Sequence, residues 1–199
     1  MGKARSRGAE AWGLPVLWLF TDAARLGDVR AAVAGLPAGL CGVVLRDDAA
    51  CDRAALARDL ARICRARRNL LVVAGDARLA WAVGAGVHLR GGRRRWPGAA
   101  RGVLVKGVAR GALVTSSAHG VGDLWRAWRA GAGVAFLSPA FATASHPGAA
   151  GLGAARWRRL AAAGPPGLVV GALGGIDGAS VRRLGVVRCV GAIGALAPS

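Results

Sequence analysis

The chain has 199 residues, enough for one well-buried domain and short for two. Its 54% hydrophobic content and 32 glycines exclude a disordered chain, because ample apolar surface is available to offset the entropy of ordering. The formal net charge of +18 is almost all arginine, with lysine only at Lys3 and Lys106, and it suits an anionic ligand.

Arginine is spread through every helical segment beside heavy use of Ala and Gly, a bias that codon composition can produce without a partner. Blocks such as Arg65 to Arg68 and Arg93 to Arg95 could hold phosphate, yet no nucleic-acid recognition motif accompanies them, so a nucleic-acid partner is not expected. Cys41, Cys51, Cys64 and Cys189 lie far apart with no Cys-x-x-Cys pair, which argues for reduced, mostly buried thiols in a cytoplasmic protein.

At the N-terminus, Lys3, Arg5 and Arg7 ahead of Ala11 to Phe20 imitate a secretion signal. Gly13 and Pro15 interrupt the apolar part, and Asp22 and Arg25 stand where a cleavage site belongs. Residues 1–13 therefore read as a basic tail and 14–196 as the folded domain. Met1-Gly2 with Ser6 fits the myristoylation pattern, which is short enough to match by chance. No apolar run approaches membrane-spanning length, and no membrane role is expected.

Eight apolar runs of strand length then follow in order: Val16 to Phe20, Gly42 to Leu45, Leu70 to Ala74, Gly86 to Leu89, Ala112 to Thr115, Val134 to Leu137, Leu168 to Leu173 and Arg188 to Ile193. They lack polar alternation, as strands do when both faces are covered. Between them lie helical stripes, with Ala54, Leu56, Leu60, Ile63 and Cys64 forming one, and Leu124, Trp125 and Trp128 after Asp123 another. The phrase Ala82-Val-Gly-Ala-Gly-Val-His has an echo in Ala127-Trp-Arg-Ala-Gly-Ala-Gly-Val-Ala and a weaker one in Leu184-Gly-Val-Val, where glycine suits the left-handed residue that ends a helix before a short turn. Eight alternating units predict a small (β/α)8 TIM barrel, with an open doubly wound sheet as the competitor. Only Gly194 to Ser199 follow the last run, so the eighth helix is expected to be truncated or missing. Trp18, Trp81, Trp125, Trp128 and Trp157 are expected to pack.

A barrel binds ligands just beyond its strands. Those positions hold Arg46, Asp47 and Asp48, then Gly75 and Asp76, then His88 and Arg90. Ser116, Ser117 and His119 come next, followed by the hydroxyl-rich loop of Ser138, Thr143, Ser145 and His146, and finally Gly174 and Gly175. All three histidines fall at strand ends, although His88, among apolar neighbours, reads as structural. A buried strand opening into hydroxyls and glycines ahead of a helix can present backbone N–H groups to an anion. The same residues can also simply cap loops.

The order of these segments resembles the thiamine phosphate synthase/TenI family. Leu14-Pro-Val-Leu-Trp-Leu-Phe-Thr-Asp looks like the family's opening strand, and Val43-Val-Leu-Arg is similar to its Gln-Leu-Arg-x-Lys. Gly86-Val-His-Leu matches Gly-Val-His-Leu-Gly-Gln, and Ser117-Ala-His119 matches Ser-x-His. The run Ser138-Pro-Ala-Phe-Ala-Thr-Ala-Ser-His-Pro-Gly is similar to Gly-Pro-x-Phe-x-Thr-x-Ser-Lys-Pro-Gly, and Leu173-Gly-Gly-Ile to Ile-Gly-Gly-Ile. The resemblance spans roughly residues 14 to 196 without rearrangement.

It implies a thiamine-biosynthesis barrel. Synthase members join hydroxymethylpyrimidine pyrophosphate to thiazole phosphate with magnesium on the leaving pyrophosphate, whereas the TenI branch is a metal-independent thiazole tautomerase. Arg46, Thr143, Ser145, His146, Gly174 and Gly175 stand at the substrate- and phosphate-binding positions, and Ser117 and His119 at the catalytic segment. The metal half departs from the pattern. The family's Asn-Asp pair reads Ala74-Gly75, its later Asp reads Arg93, its flanking Gln and Lys read Val44 and Asp48, and the Lys of the sixth loop is His146. Magnesium needs oxygen ligands, so a metal is expected only if the synthase reaction is retained, with Asp76 replacing a lost carboxylate or Arg93 neutralising the pyrophosphate directly in its place. Expected partners are a phosphorylated thiazole and the pyrimidine pyrophosphate. A homo-oligomer is compatible with the sequence, and a non-catalytic phosphate-ligand binder is the remaining alternative.

Overall fold

The computed structural model describes residues 14–47, 52–91, 113–143 and 150–193. Eight strands occur among them: β1 (Leu17–Phe20), β2 (Cys41–Leu45), β3 (Leu70–Ala74), β4 (Gly86–Leu89), β5 (Val114–Ala118), β6 (Val134–Leu137), β7 (Val169–Leu173) and β8 (Val190–Ala192). They form a closed parallel barrel in sequence order, β1 pairing with β8 through Leu17 opposite Val190. Closure excludes the open doubly wound sheet. Seven helices accompany the described strands: α1 (Ala23–Leu26), α2 (Val29–Gly35), α3 (Arg53–Ala66), α4 (Ala77–Ala82), α5 (Val121–Arg129), α6 (Ala154–Ala162) and α7 (Ser180–Arg183).

The strands are apolar on both faces because each face has its own core. Leu19, Val43, Leu45, Val73 and Leu137 point outward against the helices. Trp18, Phe20, Val44, Val72 and Phe136 alternate with them and fill the barrel interior. Phe136 receives Trp18 and Phe20 edge-on, with ring centroids 5.4 and 4.9 Å apart. The Trp18 indole N–H donates to Pro15 O at 2.9 Å, closing the lower end of this stack. Room for so large a ring comes from Gly42, where an added Cβ would stand 2.5 Å from Trp18 Cδ2.

Outside, α2, α3 and α4 start on aspartates whose side chains accept otherwise unpaired amides. Asp28 accepts from Arg30 and Ala31, Asp52 from Ala55 at 2.7 Å and Asp76 from Leu79 at 2.9 Å. The α3 stripe is as expected, with Leu56, Leu60 and Cys64 buried. In α5 the buried pair is Leu124 and Ala127, flanked by a half-buried edge-to-face pair of Trp125 and Trp128, 5.7 Å apart. Trp157 is buried and donates to Leu137 O at 3.1 Å.

Three expectations need adjustment. The fifth strand is Val114–Ala118, so Ser116 and Ser117 belong to the strand and not to the loop after it. Their hydroxyls are satisfied inside the fold, Ser116 Oγ donating to Leu89 O at 3.2 Å, which makes polar residues tolerable there. Trp81 is 81% exposed on α4, whereas Ala80 is the buried residue of that short helix. The eighth strand is Val190–Ala192, shorter than the apolar run suggests. Cys41, Cys64 and Cys189 are buried; Cys51 lies outside the described residues. So do the 1–13 tail and residues 194–199, on which the expectation about the eighth helix falls. No described helix is long and apolar enough to cross a membrane.

His88 also sits in the interior, 2% exposed, its ring edge-on to Phe20 at 5.6 Å. Two predictions follow from this packing. Gly42→Ala overpacks against Trp18 and lowers stability by about 1–3 kcal/mol, read as a shifted denaturation midpoint with an unchanged slope. Burial holds the His88 imidazole down to about 3 from its usual 6.5, so the unfolded chain takes a proton that the fold refuses. Stability from this residue is complete above about 6.5 and falls as pH drops toward about 3, by up to about 1.4 kcal/mol per pH unit. His88→Asn removes that component, so the stability gap between parent and variant narrows on acidification; parallel pH profiles would contradict it.

Candidate functional site at the carboxyl ends of the strands

Parallel closure brings every strand's carboxyl end to one mouth. At the end of β2, the Arg46 amide donates to the buried Thr21 hydroxyl at 2.9 Å, and its guanidinium Nη2 stands 3.7 Å from Asp22 Oδ2. Asp47 beside it accepts from the Ala23 amide at 2.8 Å, fixing the start of α1. Arg46 therefore leaves the barrel on a rigid backbone with its side chain 39% exposed.

The ends of β3 and β4 are dominated by guanidinium groups. Arg53, reaching across from α3, donates through Nη2 to Ala74 O at 2.7 Å and lies 3.7 Å from Asp76 Oδ2. Arg90 Nε stands 3.3 Å from the point a Cβ on Gly75 would occupy, so the bare glycine leaves space for that side chain. The Asp76 carboxylate is engaged in capping α4.

From β4 and β5 a polar line runs up the interior. His88 Nδ1 lies 2.8 Å from Thr115 Oγ1 and Nε2 lies 2.9 Å from Ser117 Oγ. Burial depresses the imidazole's basicity first, and the positive charges of Arg46 and Arg90 act in the same sense, so His88 is neutral. His88 is structural, as its apolar neighbours suggest, but it also holds the hydroxyl of Ser117. His119, just past β5, is exposed; its amide donates to Asp123 Oδ2 at 2.9 Å and its Nδ1 lies 3.0 Å from Ser138 O. A carbonyl oxygen only accepts, so Nδ1 carries a proton in either charge state, and the neutral ring keeps its lone pair on Nε2.

The ends of β6 and β7 are bound to each other. The Ala140 amide donates to Leu173 O at 2.8 Å, and the Phe141 amide to Gly174 O at 3.0 Å. Gly174 and Gly175 have φ of 91° and 63°, and a Cβ on Gly175 would meet Phe141 Cβ at 2.8 Å. The paired glycines are thus required by the close passage of the 139–142 backbone. Thr143 lies on that same segment, while Ser145 and His146 fall outside the described residues, as do Asp48 and Arg93. Arg46, Ser117, His119, Thr143, Gly174 and Gly175 all lie at the one mouth. Arg53 escaped the sequence reading because it sits on a helix, seven residues beyond Arg46, and reaches the mouth only through its long side chain.

A search of curated protein sequences finds no match. Among solved structures, the thiamine phosphate pyrophosphorylase from Pyrococcus furiosus superposes with a TM-score of 0.64 at 22% identity, covering 91% of this chain and 86% of that one. A 3-keto-L-gulonate-6-phosphate decarboxylase from Vibrio cholerae O1 biovar El Tor gives 0.61 at 17% identity, covering 93% and 91%. An HpcH/HpaI aldolase/citrate lyase family protein from Burkholderia cenocepacia gives 0.59 at 18%, covering 91% and 88%. At these identities the structures attest the fold. The family model described as thiamine monophosphate synthase matches residues 18–193, from the first strand to just past the eighth, and the chain belongs to that family.

Proposed function

We propose that this barrel acts in thiamine biosynthesis on a phosphorylated thiazole, with His119 moving a proton at the mouth. The observation that carries the reading is the Nδ1–H···O contact between His119 and Ser138, which leaves Nε2 as the basic atom of an exposed imidazole. A ring so held takes a proton from one position of a bound thiazole and returns it to another, with no net gain or loss. Arg46 and the β6–β7 segment with Thr143, Ser145, His146, Gly174 and Gly175 are the proposed seat of the phosphate, and Ser117 the neighbouring hydroxyl.

Magnesium, which the synthase reaction of the family would use, takes oxygen ligands, usually including carboxylates. At the ends of β3 and β4 the resident groups are the guanidiniums of Arg53 and Arg90, and Asp76 is already a helix cap. Among the described residues no three His, Cys, Asp or Glu side chains gather as a metal-holding group. These residues do not fit the ion, and proton transfer at His119 does not call for one.

The family match supports a second reading, the synthase reaction itself, with Arg46, Arg53 and Arg90 neutralising the departing pyrophosphate. One set of assays separates the two. Isomerisation of thiazole phosphate alone, with kcat reduced about 10²–10⁴-fold in His119→Ala, is the expected result. Thiamine phosphate formed from pyrimidine pyrophosphate and thiazole phosphate, and abolished by a chelator, would establish the synthase instead. Binding of thiazole phosphate with neither turnover would leave a non-catalytic binder. Arg46→Ala is expected to raise KM for the phosphorylated substrate about tenfold or more, the loss of one charge-assisted contact; an unchanged KM would remove Arg46 from the phosphate seat.

A further inference from the structure

Thr115 is fully buried in the barrel interior, and its hydroxyl carries one hydrogen. Among the described residues, the polar side-chain atom within hydrogen-bond distance of Thr115 Oγ1 is His88 Nδ1, at 2.8 Å. Around it lie the apolar surfaces of the interior cluster, including Phe20 and Phe136, which contact the same imidazole. On the other side of the ring, Nε2 meets Ser117 Oγ at 2.9 Å, and Ser117 is half-buried near the mouth end of β5.

Two proton arrangements are compatible with these distances, and they differ in what they leave unpaired. If Nδ1–H donates to Thr115, the threonine hydrogen is left, among the described residues, without a side-chain acceptor in apolar surroundings, and the Ser117 hydrogen is turned inward toward Nε2. If Thr115 donates to Nδ1, the ring proton is on Nε2, it donates to Ser117 Oγ, and every buried hydrogen is paired. A buried donor without an acceptor is the costlier outcome, so the second arrangement prevails. We propose that Thr115 fixes His88 as the Nε2–H tautomer and thereby frees the Ser117 hydroxyl hydrogen to donate toward the barrel mouth. Because His88 is neutral, the ring holds a single proton and the choice is binary.

The consequence falls on the site. A ligand acceptor facing Ser117, such as a phosphoryl oxygen, a carbonyl or an unprotonated ring nitrogen, meets a hydroxyl hydrogen that His88 does not compete for. Thr115 and His88 are positioning residues that act through Ser117. The inference rests on the reading of the mouth as the ligand site only for this consequence; the tautomer itself stands or falls independently of any turnover at His119.

Two-bond proton–nitrogen correlation spectra of the uniformly ¹⁵N-labelled full chain read the tautomer directly. Parent protein is expected to show His88 with Nε2 protonated and Nδ1 bare, and Thr115→Ser, which keeps the hydroxyl, to show the same. Thr115→Val, nearly the same shape without the hydroxyl, is expected to lose that preference, with Nδ1–H signal appearing. A parent spectrum with the proton on Nδ1 would overturn the proposal whether or not the variants fold. An unchanged Nε2–H signal in Thr115→Val would equally overturn the role given to Thr115.

Discussion

When β1 pairs with β8, the last open edge of the sheet disappears and all eight carboxyl ends face the same way. That geometry demands that the interior be filled from one side and the helices seated from the other, which is why nearly every strand residue is buried. Trp18, Phe20 and Phe136 supply bulk inside, and the glycine at 42 gives up a side chain so that Trp18 can lie flat across its neighbour. The same closure gathers Arg46, His88, Ser117, His119 and the β6–β7 turns, which are scattered over some 130 residues of sequence, around a single opening.

Inside the barrel, polarity increases toward that opening. Aromatic rings dominate at the level of Trp18; one layer higher the imidazole of His88 is held between two hydroxyls; higher still are the guanidiniums of Arg46 and Arg90. Each step places a more strongly solvated group nearer to water, and the histidine buried among the interior rings is kept neutral and held by two hydroxyls.

Much of this architecture was legible in the order of residues. Runs such as Leu70 to Ala74 and Val134 to Leu137, apolar at every position, announce strands covered on both faces, and Leu56, Leu60 and Cys64 announce a helix with one buried side. Ser116 and Ser117 misled because hydroxyls resemble a loop until their partners, Leu89 O and His88, are seen on the neighbouring strand, β4. Trp81 misled because apolar spacing over six residues does not reveal which side of a single helical turn faces the barrel. At the mouth, strand ends could be read and partners could not. Arg46 and His119 were visible from position alone, whereas the reach of Arg53 and the Ser138 carbonyl behind His119 depend on side-chain length and backbone course, which no spacing encodes.

The tie between the sixth and seventh strands limits what an oxyanion can find there. The amide hydrogens of Ala140 and Phe141 are already engaged by Leu173 and Gly174 carbonyls, and the glycine pair is pressed against the passing chain. An incoming phosphoryl group cannot recruit those two amides without unzipping the seam that joins the neighbouring turns. For the phosphate seat proposed above, the donors left are hydroxyls, cationic arms crossing the opening and amides other than these two.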